Sequence, residues 1–457
     1  MSKIRYHIAV MAAKLSKVII KLSGRNGTHT PGVVARKICP DFMAQAPKAP
    51  LAICVTGTNG KTTVSNMLTD MLEKEGKKVV NNRTGSNIVP GCVTNLLNSV
   101  NWLGRCRVDA TVFEVDERAS RLILPYIKPD YLVVTNLFRD SLKRNAHPDY
   151  IFSVIDTYCP DTTKLILNAD EQCSSRLKAE SERVYFGIGK QEDDKTEPYN
   201  LIADYTLCPK CGSKLTFNYL RYHHIGNAYC PNCDYKSQDA DYQALKVDKE
   251  KRVLEVREKD GQVTEYPLIH EALFNIYNEL TVITMMRELG YDAENVKKMI
   301  GGIHVPESRH NETKVKDVTV IQALSKGQSA VSSSRTFEFV ANEEGKKVIM
   351  LAMDDLHDRE KSIEYSGWIY DLEYEQFARD DVLQVVCCGP RCYDHRVRLL
   401  IAGVPEEKIA YSLDEVDAVS KVKLEDAERV YILYDCENYG ISCKMKQKLL
   451  KRLEDEK

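Results

Sequence analysis

The sequence contains no apolar run long enough to cross a membrane. Its hydrophobic stretches stop short of the roughly 18 residues that a transmembrane helix needs. Lys14, Lys17 and Lys21 interrupt the N-terminal stretch, which therefore lacks the apolar core of a signal peptide. A net charge of −2 gives no general attraction to nucleic acid. We therefore expect a cytoplasmic protein.

Cysteine is plentiful, but nothing in the chain indicates a secreted disulfide scaffold. Fifteen cysteines in 457 residues are typical of a reducing compartment, where thiols bind metal or are buried. The length predicts two or three domains, and a hydrophobic content of 43% is sufficient for ordinary cores.

A strand, a glycine loop and a helix follow one another near residue 56. The apolar run Leu51–Val55 leads into TGTNGKTT at residues 56–63, and a helical pattern follows. The spacing differs from the common phosphate loop because Val55 stands at the position of its first glycine. Glycine amides and a helix N-terminus can hold a polyphosphate, Lys61 can reach the phosphates, and Thr62 can ligate magnesium. The stretch predicts a nucleoside triphosphate site.

A second magnesium ligand is predicted at the end of another buried strand. Val108–Val115 has the pattern of such a strand, and its end reads Glu114-Val115-Asp116-Glu117. An acidic residue at the carboxyl end of a strand beside a phosphate loop commonly binds magnesium, so we assign Glu114 to this role. Helix N-capping is an equally good interpretation of Asp116 and Glu117.

Strands alternate with helices as far as Phe186, and each strand ends in polar residues. This order predicts an α/β fold with a doubly wound parallel sheet whose ligands bind at its carboxyl edge. A basic helix over residues 3–22 precedes it, with Ile8, Met11, Leu15 and neighbouring apolar residues on one side. Such a helix can lie peripherally on an anionic membrane surface, or it can pack on its own domain.

Two CxxC pairs interrupt the alternation, and the segment 212–229 separates them. Their cysteines are Cys208, Cys211, Cys230 and Cys233. This spacing is typical of a four-cysteine zinc ribbon, whose site is structural because no coordination position stays open. A ribbon can also bind nucleic acid, but the surrounding sequence offers little beyond Tyr219, Arg221 and Tyr222. We expect structural Zn²⁺ and no nucleic-acid partner.

The second half begins near residue 305 and has the pattern of a smaller α/β domain. One of its strands ends in an acidic cluster that contains Asp354, Asp355 and Asp358. These carboxylates can bind metal, orient a base or form a solvated loop. Just before this half, a helix begins at Phe274-Asn275-Ile276-Tyr277-Asn278, whose asparagines can cap the helix or read adenine.

Taken together, these motifs resemble the Mur ligase family. The glycine loop, Glu114–Glu117 and the 274–278 stretch carry the general resemblance. The ribbon, Thr135–Arg144 and Gly389–Gly403 are similar to the MurT branch, whose members amidate the D-glutamate of lipid II. The resemblance implies domains at 1–45 (N-terminal helix and linker), 46–304 (central ATP-binding domain with the ribbon at about 204–238) and 305–457 (C-terminal α/β domain).

The resemblance also implies a mechanism, in which ATP converts a carboxylate to an acyl-phosphate and ammonia then displaces phosphate. Catalysis falls to Lys61 and Glu114, with an aspartate among Asp354, Asp355 and Asp358 serving a separate GatD-like glutaminase in a heterodimer. Magnesium is held by Thr62 and Glu114. The implied nucleotide-binding residues are Thr58, Asn59, Gly60, Lys61, Thr62, Thr63, Asn275, Asn278 and Arg309.

The second half departs from the family pattern at three places: Ser308–Asn311, Lys326–Ala330 and Leu356–Asp358. Other interpretations therefore stay open. A ligase of the same fold could act on another carboxylate, such as a different cell-wall peptide or a folate-like polyglutamate. A scaffold that binds ATP without ligating, or a nucleic-acid-binding ribbon protein, belongs to a different class.

Overall fold

The computed structural model describes residues 2–24, 27–83, 86–140, 147–303, 310–326, 329–354, 366–435 and 438–455. None of the helices in these ranges is long and apolar enough to cross a membrane. The chain forms two compact units. The first comprises residues 1–138, 148–198 and 204–305, and the second comprises 139–147, 199–203 and 306–457.

The first unit is built on a nine-stranded sheet with the order β11-β10-β9-β6-β5-β4-β1-β3-β2. Its strands, with the separate β7–β8 hairpin, are β1 Leu51–Thr56, β2 Val79–Asn81, β3 Ala110–Glu114, β4 Tyr131–Val134, β5 Lys164–Asn168, β6 Arg183–Ile188, β7 Thr216–Tyr222, β8 Ile225–Tyr229, β9 Tyr242–Asp248, β10 Val253–Arg257 and β11 Val263–Pro267. Strands β2 to β6 and β9 run parallel to β1, whereas β10 and β11 form an antiparallel hairpin at one edge. The strand order reverses around β1, which is where ligands bind in doubly wound sheets.

Helices pack around this sheet because its strands are apolar on both faces. In β1 and β4 every residue after the first is buried, as expected for parallel strands that are covered on both sides. The helices of the unit are α1 Ser2–Leu22, α2 Thr30–Ile38, α3 Phe42–Gln45, α4 Lys61–Lys74, α5 Val89–Ser99, α6 Ser120–Ile127, α7 Pro148–Tyr158, α8 Leu273–Glu288 and α9 Ala293–Gly301.

The second unit has a six-stranded sheet with the order β12-β13-β17-β14-β15-β16. Its elements are β12 His310–Val315, β13 Val318–Leu324, α10 Ala330–Asn342, β14 Lys347–Ala352, α11 Gly367–Tyr370, β15 Val382–Cys388, α12 Cys392–Ile401, β16 Ile409–Ser412, β17 Arg429–Tyr434 and α13 Tyr439–Asp455. The sheet is parallel apart from β12, which pairs antiparallel with β13.

The predicted fold class is confirmed, with the ribbon hairpin inserted between β6 and β9. The sequence pattern did not predict the edge strands β12 and β16 or the strand β9. β12 reads HNETKV and β16 has only four residues. Edge strands bury little side-chain surface, so their sequences carry a weak apolar pattern.

Candidate nucleotide and metal sites

The glycine loop after β1 is fastened to the loop after β4. The Thr58 amide donates to the Asn136 carbonyl at 2.8 Å, and the Asn59 amide donates to the Asn136 side-chain oxygen at 3.0 Å. Gly57 has a φ of +127°, and a Cβ there would lie 2.3 Å from Thr135 Oγ1. The loop therefore requires glycine at this position for both conformation and space.

Lys61 is the first residue of α4, and its ammonium turns back over the loop. It donates to the carbonyls of Gly57 and Thr58, the latter at 3.3 Å, and pairs with Glu117 Oε2 at 3.3 Å. The side chains of Lys61 and Glu117 are 11% and 10% exposed, so the pair is largely shielded from water. From the sequence, Glu117 was as good a candidate for a functional carboxylate as for a helix cap, and its contact with Lys61 was not predicted.

Thr62 and Glu114 meet at the carboxyl edge of the sheet. The Thr62 hydroxyl donates to Glu114 Oε2 at 2.8 Å, and Asn87 Nδ2 donates to Oε1 at 3.0 Å. Asn82 binds the Glu114 main chain on both sides, accepting from its amide and donating to its carbonyl at 2.8 Å each. Hydroxyl and carboxylate oxygens are ligands that Mg²⁺ prefers. The two residues predicted to bind magnesium are thus in direct contact.

The predicted adenine-reading asparagines lie at the start of α8, and one of them touches the glycine loop. Asn278 is buried and donates to Asn275 Oδ1 at 3.4 Å. Gly60 has a φ of +87°, and a Cβ there would lie 2.2 Å from Asn278 Oδ1. Asn278 therefore packs directly against the loop. Thr63, which is also predicted to bind the nucleotide, follows Thr62 in the first turn of α4. Arg309 lies outside the described residues.

These residues fit ATP with magnesium. A glycine loop precedes a 14-residue helix, the lysine is shielded, and the hydroxyl–carboxylate pair supplies hard oxygen donors. This donor set is the one expected for the phosphates and metal of a nucleotide.

The four predicted zinc ligands converge in the ribbon, and their ligand atoms all lie within 4.8 Å of one another. Cys208 and Cys233 sulfurs are 3.6 Å apart, and those of Cys211 and Cys230 are 3.4 Å apart. Sulfurs at ~2.3 Å from a tetrahedral Zn²⁺ are about 3.8 Å apart. The amides of Lys210 and Asn232 each donate to a cysteine sulfur at 3.4 Å, which favours thiolates. The cluster can hold a metal ion.

The residues weighed for nucleic-acid binding are buried. Arg221 Nη1 donates to Asp170 Oδ2 at 3.0 Å and to the Tyr277 hydroxyl at 2.8 Å, and Nη2 pairs with Asp194 at 3.0 Å. Tyr219 donates to Asp170 Oδ1 at 2.9 Å. Arg221 therefore anchors the ribbon hairpin to the loop after β5 and to α8, at Tyr277 directly before Asn278. It is unavailable to a nucleic-acid backbone.

In the second unit, Asp354 follows β14 and is buried. It forms a side-chain hydrogen bond with Glu415. Burial, together with the neighbouring Asp354 carboxylate, raises the pKa of Glu415 to about 7. Both carboxylates face Gly389, where a Cβ would lie 2.8 Å from Glu415 Oε1 and 3.0 Å from Asp354 Oδ2. Glu415 was not predicted from the sequence, because it follows the short strand β16. Asp355 and Asp358 lie outside the described residues.

Two family models match the chain. The Mur ligase middle domain matches residues 55–228, which contain the glycine loop, Glu114 and most of the ribbon. The MurT ligase C-terminal domain matches residues 328–437 in the second unit.

Full-length relatives agree with both matches. A protein from Staphylococcus aureus (strain COL) is 27% identical over 91% of each chain, and one from Streptococcus pneumoniae (strain R6) is 25% identical over 93% of each chain. Both are named subunit MurT of the glutamine-hydrolysing lipid II isoglutaminyl synthase.

Solved structures share the fold. The pseudomurein peptide ligase type C from Methanothermus fervidus matches with a TM-score of 0.69 and 16% identity, over 90% of this chain and 81% of that one. The MurF ligase from Thermotoga maritima in complex with ADP matches with a TM-score of 0.55 and 16% identity, over 94% and 85%. With both domain matches and the full-length relatives in agreement, the chain belongs to the Mur ligase family, in its MurT branch.

Proposed function

We propose that this chain is the ATP-dependent ligase subunit of a complex that amidates the α-carboxylate of D-isoglutamate in lipid II, during peptidoglycan biosynthesis in the cytoplasm. The observation that carries the proposal is the sequence similarity to relatives named as the MurT subunit of lipid II isoglutaminyl synthase, which extends over about nine-tenths of their length. The oxygen and lysine donors around the glycine loop support the ATP-dependent half of the reaction.

The proposed reaction has two steps. A carboxylate oxygen of D-isoglutamate attacks the γ-phosphorus of ATP, the bond to the β-phosphate breaks, and an acyl-phosphate and ADP form. Ammonia then attacks the acyl carbon, loses a proton, and phosphate leaves to give D-isoglutamine. Little covalent chemistry falls to the protein, so its contribution is positioning and electrostatic stabilisation of the phosphoryl group.

The residues of the glycine loop and its neighbours take the following roles in this reaction. Lys61 stabilises negative charge on the transferred phosphoryl group, and Glu117 holds its ammonium over the loop. Thr62 and Glu114 hold Mg²⁺, which offsets phosphate charge when bound. Asn82 and Asn87 orient Glu114, while Thr58, Asn59, Gly60 and Thr63 line the nucleotide at the start of α4. Asn275 and Asn278 contact adenine, with Arg309 as a further nucleotide contact.

We assign structural Zn²⁺ to Cys208, Cys211, Cys230 and Cys233. Four thiolates complete a tetrahedral shell and leave no position for substrate. Because Arg221 joins the ribbon hairpin to α8, the metal supports the element that carries Asn278 and takes no part in the chemistry.

Ammonia would come from a glutaminase partner. The synthase to which the relatives belong is named glutamine-hydrolysing, which supports glutamine as the nitrogen source. We propose that an aspartate among Asp354, Asp355 and Asp358 completes the catalytic group of that partner. The source of nitrogen tests this role: replacement of the responsible aspartate by asparagine should abolish amidation with glutamine and preserve it with ammonium chloride. Equal loss with both sources would exclude it.

The ligase assignment is tested by ADP release from the purified complex. Release should require lipid II together with glutamine or ammonium, and Lys61→Ala should abolish it. Lys48→Ala is the matched control, because Lys48 pairs with Asp130 on the surface of the same unit. ADP release that ignores lipid II and the nitrogen source would refute the proposal.

The departures from the family pattern in the second half favour one alternative, an amide ligase of the same fold acting on a different carboxylate. In that case ADP release would still require Lys61 and a nitrogen source, but lipid II would not stimulate it.

A further inference from the structure

Helix α1 carries apolar residues on two opposite faces. Its inner face is buried against the first unit through Tyr6, Ala9, Val10 and Ala13, and the Tyr6 hydroxyl donates to the Gly104 carbonyl at 3.1 Å. Its opposite face, here named the outer stripe, consists of seven larger apolar residues that are 44–84% exposed: Ile4, Ile8, Met11, Leu15, Val18, Ile19 and Leu22. Apart from Tyr6, the helix therefore buries small residues and exposes its large aliphatic ones, the reverse of the usual preference.

The outer stripe is continuous along the helix. Successive members are mostly three or four residues apart, which at 3.6 residues per turn confines them to an arc about 100° wide. A row of this length extends far beyond the single exposed apolar residues that are normal on a protein surface.

A neighbouring loop extends this apolar surface. Trp102 and Leu103, in the turn after α5, are 54% and 65% exposed. The Lys14 ammonium lies 5.9 Å from the Trp102 ring centroid, which places the ring beside α1. Tryptophan is enriched at membrane–water interfaces because its ring is apolar and its N–H is polar.

The charge around the stripe is of one sign. From Met1 to Pro40 the sequence contains lysines and arginines but no aspartate or glutamate. Lys14 donates to the carbonyls of Leu97 and Val100 at 2.8 Å each, so it fastens α1 to the end of α5. Lys3 and Lys21 on one side of the stripe, and Arg5 on the other, are exposed.

We propose that the outer stripe, with Trp102 and Leu103, lies in the interfacial region of an anionic lipid bilayer, and that α1 lies parallel to the membrane surface. An apolar helix face bordered by basic residues combines the two contributions that bind such helices to anionic lipid. A second copy of this chain is a poorer occupant, because pairing two stripes would bring like charges together with no acidic residue on α1 to offset them. The proposal stands independently of the ligase assignment.

Flotation of the full chain with lipid vesicles, without ATP or lipid II, tests the proposal. The chain should float with phosphatidylcholine vesicles that contain phosphatidylglycerol. It should float less with phosphatidylcholine alone, and less as the salt concentration rises. Ile8→Ser/Leu15→Ser should weaken binding by about 100-fold, since two large aliphatic side chains no longer enter the lipid. Leu245→Ser/Val263→Ser removes exposed apolar residues elsewhere in the same unit and should leave binding unchanged.

Fluorescence gives a second readout that does not depend on the double variants. The chain has two tryptophans, and Trp368 is buried in the second unit. A blue shift on adding anionic vesicles should therefore come from Trp102 and disappear in Trp102→Phe. Absence of flotation by the unmodified chain, or equal flotation by both double variants, would overturn the proposal. A dimer that Ile8→Ser/Leu15→Ser dissociates, without flotation, would assign the stripe to a second copy and overturn it as well.

Discussion

The contact between Gly60 and Asn278 makes a sharp prediction about the glycine loop. Gly60 precedes α4 with a φ of +87°, and Gly76 follows the same helix with a φ of +74°. An added Cβ at Gly60 would lie 2.2 Å from Asn278 Oδ1, whereas nothing lies within 4 Å of one at Gly76. Gly76→Ala is therefore a matched control that shares the backbone strain and lacks the clash.

The expected losses of stability follow from the backbone strain at both positions and the clash at Gly60 alone. The left-handed conformation costs alanine about 1–2 kcal/mol at either position. At Gly60 the buried Asn278 amide must also move, and disturbing its contacts costs roughly 1–3 kcal/mol more. We expect Gly76→Ala to lower the free energy of unfolding by about 1–2 kcal/mol and Gly60→Ala by about 2–5 kcal/mol.

Nucleotide binding separates the two variants further. Titration calorimetry with ATP and magnesium should show an unchanged affinity for Gly76→Ala and a loss of about tenfold or more for Gly60→Ala, because the displaced Asn278 lies at the nucleotide. Adding Asn278→Ala to Gly60→Ala should recover part of the stability, which urea unfolding measures as a non-additive term. Equal ATP affinity and equal stability in the two alanine variants would refute the packing of Asn278 on the loop.

Three further predictions concern stability. Burial raises the pKa of Glu279 from 4.5 to about 8, so at pH values between these two the folded chain holds a proton that the unfolded chain releases. The contribution of this group to the free energy of unfolding therefore falls as pH rises, by at most about 1.4 kcal/mol per pH unit. Urea unfolding at pH 6 and 8 should show a smaller fall in the free energy of unfolding for Glu279→Gln than for the unmodified chain. Arg221→Met leaves Asp170 and Asp194 buried without their cation and should cost about 3–5 kcal/mol, whereas Lys236→Met, which breaks an exposed pair, should cost about 0–1 kcal/mol. Chelation should release one zinc per chain and lower the unfolding temperature; a chain purified without metal would contradict the ribbon assignment.

Local sequence was informative wherever one segment carries the whole feature. The glycine loop and α4 were recognisable because strand, turn and helix signals follow one another without interruption between Leu51 and Lys74. The cysteine cluster was recognisable because the spacing of its ligands is itself the signal. Glu114 could be singled out because it ends a buried strand.

Contacts set by strand order were not predictable. Glu117 reaches Lys61 only because β3 lies beside β1 in the sheet, and one sequence does not state which strands are neighbours. Glu415 reaches Asp354 across strands for the same reason. Helix α1 shows another limit: hydrophobic periodicity identified an apolar side, but it could not say that small residues such as Ala9 would face the protein and Leu15 the solvent.

The most direct test of the proposed lipid II amidation is to identify the product that this chain forms from lipid II with ATP, magnesium and ammonium chloride. Ammonium chloride supplies the nitrogen directly, so no glutaminase is needed. Mass spectrometry of the stem peptide should show the D-isoglutamate carboxyl converted to an amide, with one ADP released per amide and neither formed by Lys61→Ala. Lipid II that remains unamidated while ATP is hydrolysed, or an amide that forms without ATP, would contradict the proposed function.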